Sequence, residues 1–425
     1  MRALLVAIVA SESALIVGGS HLVGLPGLLL VLVATAAWAL VVFGRRTEPR
    51  PRAVAIAIGV VFAVGVAVQP HGSRDLWSYV MDGRIVGVHH TSPYVHAPAD
   101  FPHDPFFAYV ATGWRHAQSV YGPLFTGMSA ALTRFAGGSA LRARLAFQGL
   151  AALSVVAALG LIWRETRSSR AVAFVGLHPA VVTAIVNGGH NDGLVGVAVL
   201  GGVLLVTRRR WYGAGFALGL GILCKASGAL GLLGVFVWAL HRDRRGAAKV
   251  LLTASATTIA GYLPVGFVAV RAVGGAEHGN TRGSPWDLVR TIAHPPGAII
   301  TPVVLVLAAV AAWRWRAAAR PASAATATMA AYLVGGAFVL PWYPAWALPT
   351  AALDRRSFLG GLVAAHAAFL AAVYEFEAPA HTTLTGVLAV IRSIVVVTVA
   401  FSLLVALLVA TRRRRISTTA VVLLE

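Results

Sequence analysis

"AVAIAIGVVFAVGVAVQPHGSRDLWSYVMDGRIVGVHHTSPY", residues 53–94, joins two kinds of chain back to back. Its first part, 53–69, carries no charged side chain, as befits a segment in hydrocarbon, where roughly 20 apolar residues span the core. Its second part packs Asp75, Tyr79, Asp82, Arg84, His89 and His90 into sixteen residues. A membrane helix thus runs straight into a polar loop rich in carboxylates.

The same alternation fills the chain. Of its 425 residues, 58% are hydrophobic and 12% are charged, against roughly 25% charged in soluble domains; mean hydropathy is +0.77. Apolar runs at 3–19, 22–43, 53–69, 119–137, 143–163, 171–187, 190–207, 211–225, 226–240, 249–271, 297–313, 324–341, 343–353, 357–374 and 383–410 predict an all-α, polytopic transmembrane bundle of about 11–14 crossings. Residues 1–425 read as one integral membrane domain, with 70–118 as a large external loop within it. The N-terminal apolar stretch resembles a signal peptide, but Glu12 interrupts it and a second apolar run follows, so it reads as a first membrane helix.

The net charge of +20 does not point to nucleic acid, because its positives sit in short clusters between apolar runs. "GRRTEPRPR" (44–52), "RETRSSR" (164–170), "RRR" (208–210), "HRDRR" (241–245), "RWRAAAR" (314–320), "DRR" (354–356) and "RRRR" (412–415) have the look of cytoplasmic turns. The loops at 70–118, 187–192, 271–296, 341–344 and 374–381, which carry Glu375 and Glu377, are then external. One conflict arises: two crossings between 118 and 164 would put the basic loop 164–170 outside. Either 119–137 does not cross or that loop breaks the charge rule. The single cysteine, Cys224, permits no intrachain disulfide and no multi-cysteine zinc site.

The chemistry-bearing residues gather in the external loops. On a helix, Asp75, Tyr79 and Asp82 fall at i, i+4 and i+7, one face presenting two carboxylates and a phenol; the competing reading is a solvated surface helix. "YGPLF" (121–125) opens a helix with a rigid Gly-Pro turn. "NGGHND" (187–192) places His190, Asn191 and Asp192 at a helix boundary, as a site or as an N-cap. "PWYPAW" (341–346) reads as an interfacial aromatic belt or as a sugar- or lipid-stacking edge with Trp342 and Tyr343. Lys225 lies near the apex of a hairpin, or deep within one 30-residue helix over 211–240; an intramembrane lysine is a functional candidate either way. No P-loop, GxSxG, HExxH or nucleotide-binding βαβ unit is present.

Taken in order, "DLWSYVMDGRIVGVHHTSPY", "YGPL", "HPAVVTAIVNGGHNDGL", a lysine in an apolar helix and "PWYPAW" resemble the polyprenol-phosphomannose-dependent α-1,6-mannosyltransferases, C-type integral membrane glycosyltransferases, over about residues 70–350. The resemblance implies a polyprenyl-phosphate-mannose donor, a glycan or glycolipid acceptor such as a cell-envelope lipoglycan, and inversion at the outer face of the plasma membrane. It implies a general base at Asp75. Tyr79, Asp82, Arg84, Tyr94, Tyr121, His190, Asn191, Asp192, Lys225, Trp342 and Tyr343 are the expected substrate contacts, with Lys225 and Arg84 for the phosphate. The chain departs from the family pattern at "TSPY", where Ser92 stands for Asn or Asp, and at "MDG", where Asp82 adds a carboxylate to a usual Gln-Gly. No cofactor and no essential metal are expected. The rival readings are a C-type transferase using another polyprenyl-phosphate sugar (arabinose or glucose) and a lipid-linked sugar transporter or flippase.

Overall fold

The computed structural model describes residues 1–22, 24–45, 47–275, 281, 283–286, 289, 297–375 and 394–412. Most of the expected loop 271–296, Glu377 and the rest of 376–381, the start of the expected segment 383–410 and nearly all of 412–415 lie outside these residues.

Every regular element among the described residues is helical. The helices are α1 (Arg2–Gly18), α2 (Leu25–Phe43), α3 (Pro51–Ala67), α4 (Asp75–Gly87), α5 (Pro123–Ala136), α6 (Ala140–Thr166), α7 (Ser169–Gly176) and α8 (Asp192–Thr207). They continue as α9 (Trp211–Cys224), α10 (Gly228–Arg242), α11 (Arg244–Tyr262), α12 (Phe267–Gly275), α13 (Gly297–Trp315), α14 (Pro321–Gly335), α15 (Phe358–Glu375) and α16 (Ile394–Arg412). Their starts follow sequence chemistry. Proline opens α3, α5 and α14, where an unbonded N–H would be idle. Side chains of Ser139, Ser168 and Asp243 accept backbone N–H groups to cap α6, α7 and α11.

Five helices (α1, α2, α6, α15 and α16) are long and apolar enough to cross a membrane, and a bent pair makes a sixth. Five more apolar helices (α3, α8, α9, α10 and α13) are shorter; the expected count of 11–14 takes such helices as crossings. The bent pair corrects one expected span. Over 171–187, α7 breaks at His178-Pro179 and resumes as a π-helical segment, Val181–Asn187, turned by 63°. Proline removes an N–H and pushes its predecessor out of the helical region. The Ala180 N–H at the break is taken up by His178 Nδ1, and that ring is held in turn by an Nε2 contact with the Ala364 carbonyl. The expected span 343–353 is also not one helix. Pro344 and Pro349 divide it into a 3-10 turn (Tyr343–Trp346), a four-residue helix (Leu348–Ala351) and another 3-10 turn, Ala352–Asp354. Irregular backbone of this kind is tolerated at membrane depth where protein buries it.

Hydrogen bonds gather the basic loops at one end of the bundle. Ser168 and Ser169 donate to Glu48, Arg208 to Glu165, Arg242 to the Arg316 and Ala318 carbonyls, and Arg320 to Leu353 O. This settles the conflict over 164–170. Unlike the equally short α9, the 14-residue α5 is not among the apolar helices, and it carries Thr126, Ser129, Thr133 and Arg134. The chain therefore stays on one side from α4 to the start of α6, and the 164–170 loop joins the other basic turns.

Candidate active site

Two chain turns are pressed against each other at the far end of the bundle. Gly122, of "YGPL", donates its N–H to Cys224 O at 3.1 Å. A Cβ there would collide with the Leu223 carbonyl oxygen, so glycine permits the approach of α5's first turn to the end of α9. Lys225 follows in extended conformation and α10 begins at Gly228. The hairpin reading of 211–240 holds, and the single 30-residue helix does not. On the opposite wall, Gly196 of α8 lets the backbone of Ala345 pack directly on the helix.

These approaches enclose a cavity of about 270 Å³ lined by Asp75, Tyr121, Lys225, Trp342, Tyr343 and Trp346, with Trp114, Tyr332, Leu230 and Leu305 around them. Asp75 opens α4, where the helix dipole favours a carboxylate; its N–H donates to Ser73 Oγ at 3.1 Å and its side chain is 18% exposed. His190 Nε2 lies 3.7 Å from Asp75 Oδ2. The His190 ring is held by stacking on Trp342, with centroids 3.7 Å apart and planes at 15°, and by an Nδ1 contact with Ala184 O.

Asp192 is wholly buried in the first turn of α8, and no side chain caps that helix. Instead its Oδ1 accepts hydrogen bonds from Lys225 Nζ at 2.8 Å and Trp346 Nε1 at 2.6 Å. Lys225 Nζ also stands 4.4 Å from the Tyr343 ring centroid, and Tyr343 stacks on Trp346 at 4.4 Å. The ammonium is thus fixed by an anion on one side and a π-face on another, yet still faces the cavity. "PWYPAW" forms a buried wall: Trp342, Tyr343 and Trp346 are 7%, 8% and 1% exposed, which a lipid-facing belt would not be.

The other expected site residues stand further back. Tyr79 is buried edge-on against Tyr121 and Phe125. Tyr94 contacts Tyr121 O and Thr126 Oγ1 through its hydroxyl and so props Tyr121 into the cavity wall. Asp82 meets Asp75 at a small adjoining pocket of about 20 Å³ with Ser78 and Ser119, and burial pushes its carboxyl up to about 7. Thus α4 is not a solvated surface helix; ten of its residues are buried. Asn191 is buried beside the site, with no hydrogen bond from its side chain among the described residues. Arg84 is not brought to the cavity: its Nε sits 2.8 Å from both carboxylate oxygens of Asp104, and its guanidinium covers Phe106. Burial raises the Asp104 carboxyl, but the Phe106 N–H, His89 and Arg84 outweigh it and hold it below the ordinary range.

Some residues went unread in the sequence. Gln148 Nε2 donates to the carbonyls of Gly65, Val68 and Asn187. Arg144 donates to Val66 O, Ala67 O and Gln148 Oε1, and Asn187 Nδ2 to Gly65 O and Val68 O. This clamp seals the end of α3, from which the chain runs to Asp75, against the turn that carries His190. A buried glutamine in a long apolar helix was the available signal. Trp346 lay within a quoted motif, but only its contact with Asp192, 154 residues away, marks its role. Asp104 had no local signal at all. Among the described residues, no three His, Cys, Asp or Glu side chains gather as a metal site would need.

No solved structure matches the chain. Alpha-(1->6)-mannopyranosyltransferase A of Corynebacterium glutamicum is 25% identical over 189 residues, which cover 42% of this chain and 36% of that protein. The family described as alpha-(1->6)-mannopyranosyltransferase, N-terminal domain, matches residues 3–242. That match takes in α1 to α3, where the sequence offered only hydrophobicity, and stops short of "PWYPAW". It covers more than half of the chain and every element from Asp75 to Lys225, so this membrane protein belongs to the alpha-(1->6)-mannopyranosyltransferase family.

Proposed function

We propose that the chain transfers mannose from polyprenyl-phosphate mannose to a hydroxyl of a glycan or glycolipid acceptor, with inversion, at the extracytoplasmic face of the plasma membrane. The observation that carries this reading is one cavity lined by both a carboxylate, Asp75, and a fixed ammonium, Lys225. We take the α-(1→6) linkage of the family's name, so the reacting hydroxyl is the acceptor's primary 6-hydroxyl. The family's name and the relative's name support mannose; the basic loops at the far end support the sidedness.

Asp75 takes the proton of the acceptor hydroxyl as its oxygen bonds to the anomeric carbon of the donor. The bond from that carbon to the phosphate oxygen breaks, and its electron pair leaves with the lipid phosphate. Charge grows on that phosphate beside Lys225 Nζ, a preorganised cation in a partly dry cavity. Trp346 and Lys225 share Asp192, which keeps the ammonium aimed while two of its three N–H groups stay available. His190 Nε2 stands 3.7 Å from Asp75 Oδ2, beyond a direct hydrogen bond. The apolar part of the lining, Leu230 and Leu305, suits the first isoprene units of the donor. No resident cofactor enters this scheme.

The test is label transfer from radiolabelled polyprenyl-phosphate mannose to mannoside acceptors in membranes carrying the wild type or Asp75→Asn. Loss of about 10²–10⁴-fold in a variant that still binds donor is the expected result. Undiminished transfer by the variant would remove Asp75 as the base. Relocation of the lipid without a new glycosidic bond would replace the transferase with a transporter, and label transfer only from an arabinose or glucose donor would change the sugar.

A further inference from the structure

A second cavity, about 60 Å³, adjoins the first and has no part in the transfer as written so far. His71 and Ser73 from the α3–α4 link, Asn187 and His190 from the π-helical turn, Trp342, and Glu375 at the end of α15 contribute to its lining. Trp342 is common to both cavities. Two wall residues reach the base: Ser73 Oγ accepts the Asp75 N–H, and His190 Nε2 is 3.7 Å from Asp75 Oδ2. Asp75 itself lines the first cavity with Lys225, and this second cavity reaches it only through Ser73 and His190.

Its chemistry differs from that of its neighbour. The lining holds no lysine or arginine and includes the carboxylate of Glu375, so it does not suit a phosphate. Imidazoles, a hydroxyl, a carboxylate and an indole face suit a neutral polyol. His71 Nδ1 and His190 Nε2 are buried and have no hydrogen-bond partner among the described residues, although groups so placed ordinarily do. The floor is rigid, because the Asn187 side chain and carbonyl are both tied into the Gln148 clamp. One water needs about 10–15 Å³, so the space takes the hydroxymethyl arm and ring edge of one sugar rather than an oligosaccharide.

We propose that this cavity is the acceptor subsite: it takes the terminal sugar of a neutral mannoside by its hydroxymethyl edge and delivers the 6-hydroxyl to Asp75. The subsite rests on the transferase reading for the identity of the sugar. A narrow slot selects an exocyclic primary hydroxyl over the ring hydroxyls, which gives the linkage a structural cause.

The experiment is saturation-transfer NMR with methyl α-mannopyranoside on the full-length protein in detergent, for the wild type, Ala371→Leu and His71→Leu. Ala371 lines the cavity and lies away from Asp75 and Lys225 in sequence and wall; leucine there narrows the slot. Expected is saturation concentrated at the H6 protons for the wild type and about tenfold weaker binding in each variant, with polyprenyl-phosphate affinity unchanged. In the transfer assay the acceptor KM rises likewise and the donor KM does not. No mannoside binding by the wild type, equal binding by all three proteins, or a loss of polyprenyl-phosphate affinity instead would overturn the subsite. Should neither variant fold, a diazirine-bearing mannoside on the wild type decides, since crosslinks to peptides around 71–73 or 371–375 are expected and crosslinks elsewhere overturn the proposal. A wild type that binds mannoside here but transfers no mannose would sink the transferase reading and leave the subsite standing.

Discussion

Lys225 and Arg84 are each paired with a buried aspartate, and the two pairs do opposite things. Lys225 meets one oxygen of Asp192, leans on the Tyr343 ring and keeps a face on the large cavity. Arg84 spends its Nε on both oxygens of Asp104, covers Phe106 and touches no part of the cavity. His89 and the Phe106 N–H complete that second knot, which ties α4 to the loop after it. A cation that shares its anion with a tryptophan stays available to a substrate, whereas one held by both carboxylate oxygens is structural. From sequence, both looked like phosphate ligands.

The contrast can be broken by substitution. Lys225→Gln should lower kcat/KM by about 10²–10³-fold, the scale of losing one fixed transition-state partner, with Lys225→Arg recovering part of it; steady-state kinetics in nanodiscs would read this. Retained activity in Lys225→Gln would make both pairs structural. Arg84→Met should instead cost about 3–5 kcal/mol of stability by stranding Asp104, while the folded fraction keeps its donor KM. A raised donor KM there would erase the distinction. Because Asp104 is held below the ordinary range, the knot's contribution is present above the unfolded carboxyl value, roughly 4, and fades as pH falls through the folded value.

Asp82 sharpens the comparison, since it is a carboxylate with no cation assigned to it. Below roughly pH 4 folded and unfolded chains both hold its proton. From there to about 7 the unfolded chain releases it and the folded chain keeps it, so stability falls with rising pH across that window and levels off above. Thermal melts of wild type and Asp82→Asn should coincide near pH 4, and the variant should melt a few degrees higher at pH 8. Equal melting temperatures at both pH values would mean that Asp82 is already ionised and paired. The smallest effect expected is for Gln148→Leu, about 1–3 kcal/mol for the Asn187 carbonyl left without a donor, read as a lower melting temperature with Asp75 chemistry otherwise intact.

The helices were legible because apolar length and proline position are local properties. So was the face of α4, since a 3.6-residue period puts Asp75, Tyr79 and Asp82 together wherever the helix packs. Legibility failed at Pro179, Pro344 and Pro349, where apolar runs looked continuous but the missing N–H groups divide them. It failed again at α5, where the apolar run 119–137 contains Thr126, Ser129, Thr133 and Arg134 and the helix is not among the apolar ones.

By itself, then, the sequence determined a helical membrane bundle with basic turns at one end and its chemistry at the other. It put Asp75, Tyr79 and Asp82 on one helical face, and it left Lys225 between a hairpin apex and the middle of one long helix. Only the tertiary structure decided which cation faces the cavity, because Asp192 and Lys225 are 33 residues apart, Arg84 and Asp104 are 20 apart, and Asp192 and Trp346 are 154 apart. Hydropathy and periodicity act within one element, while an ion pair's role depends on which elements the packing brings to its open side.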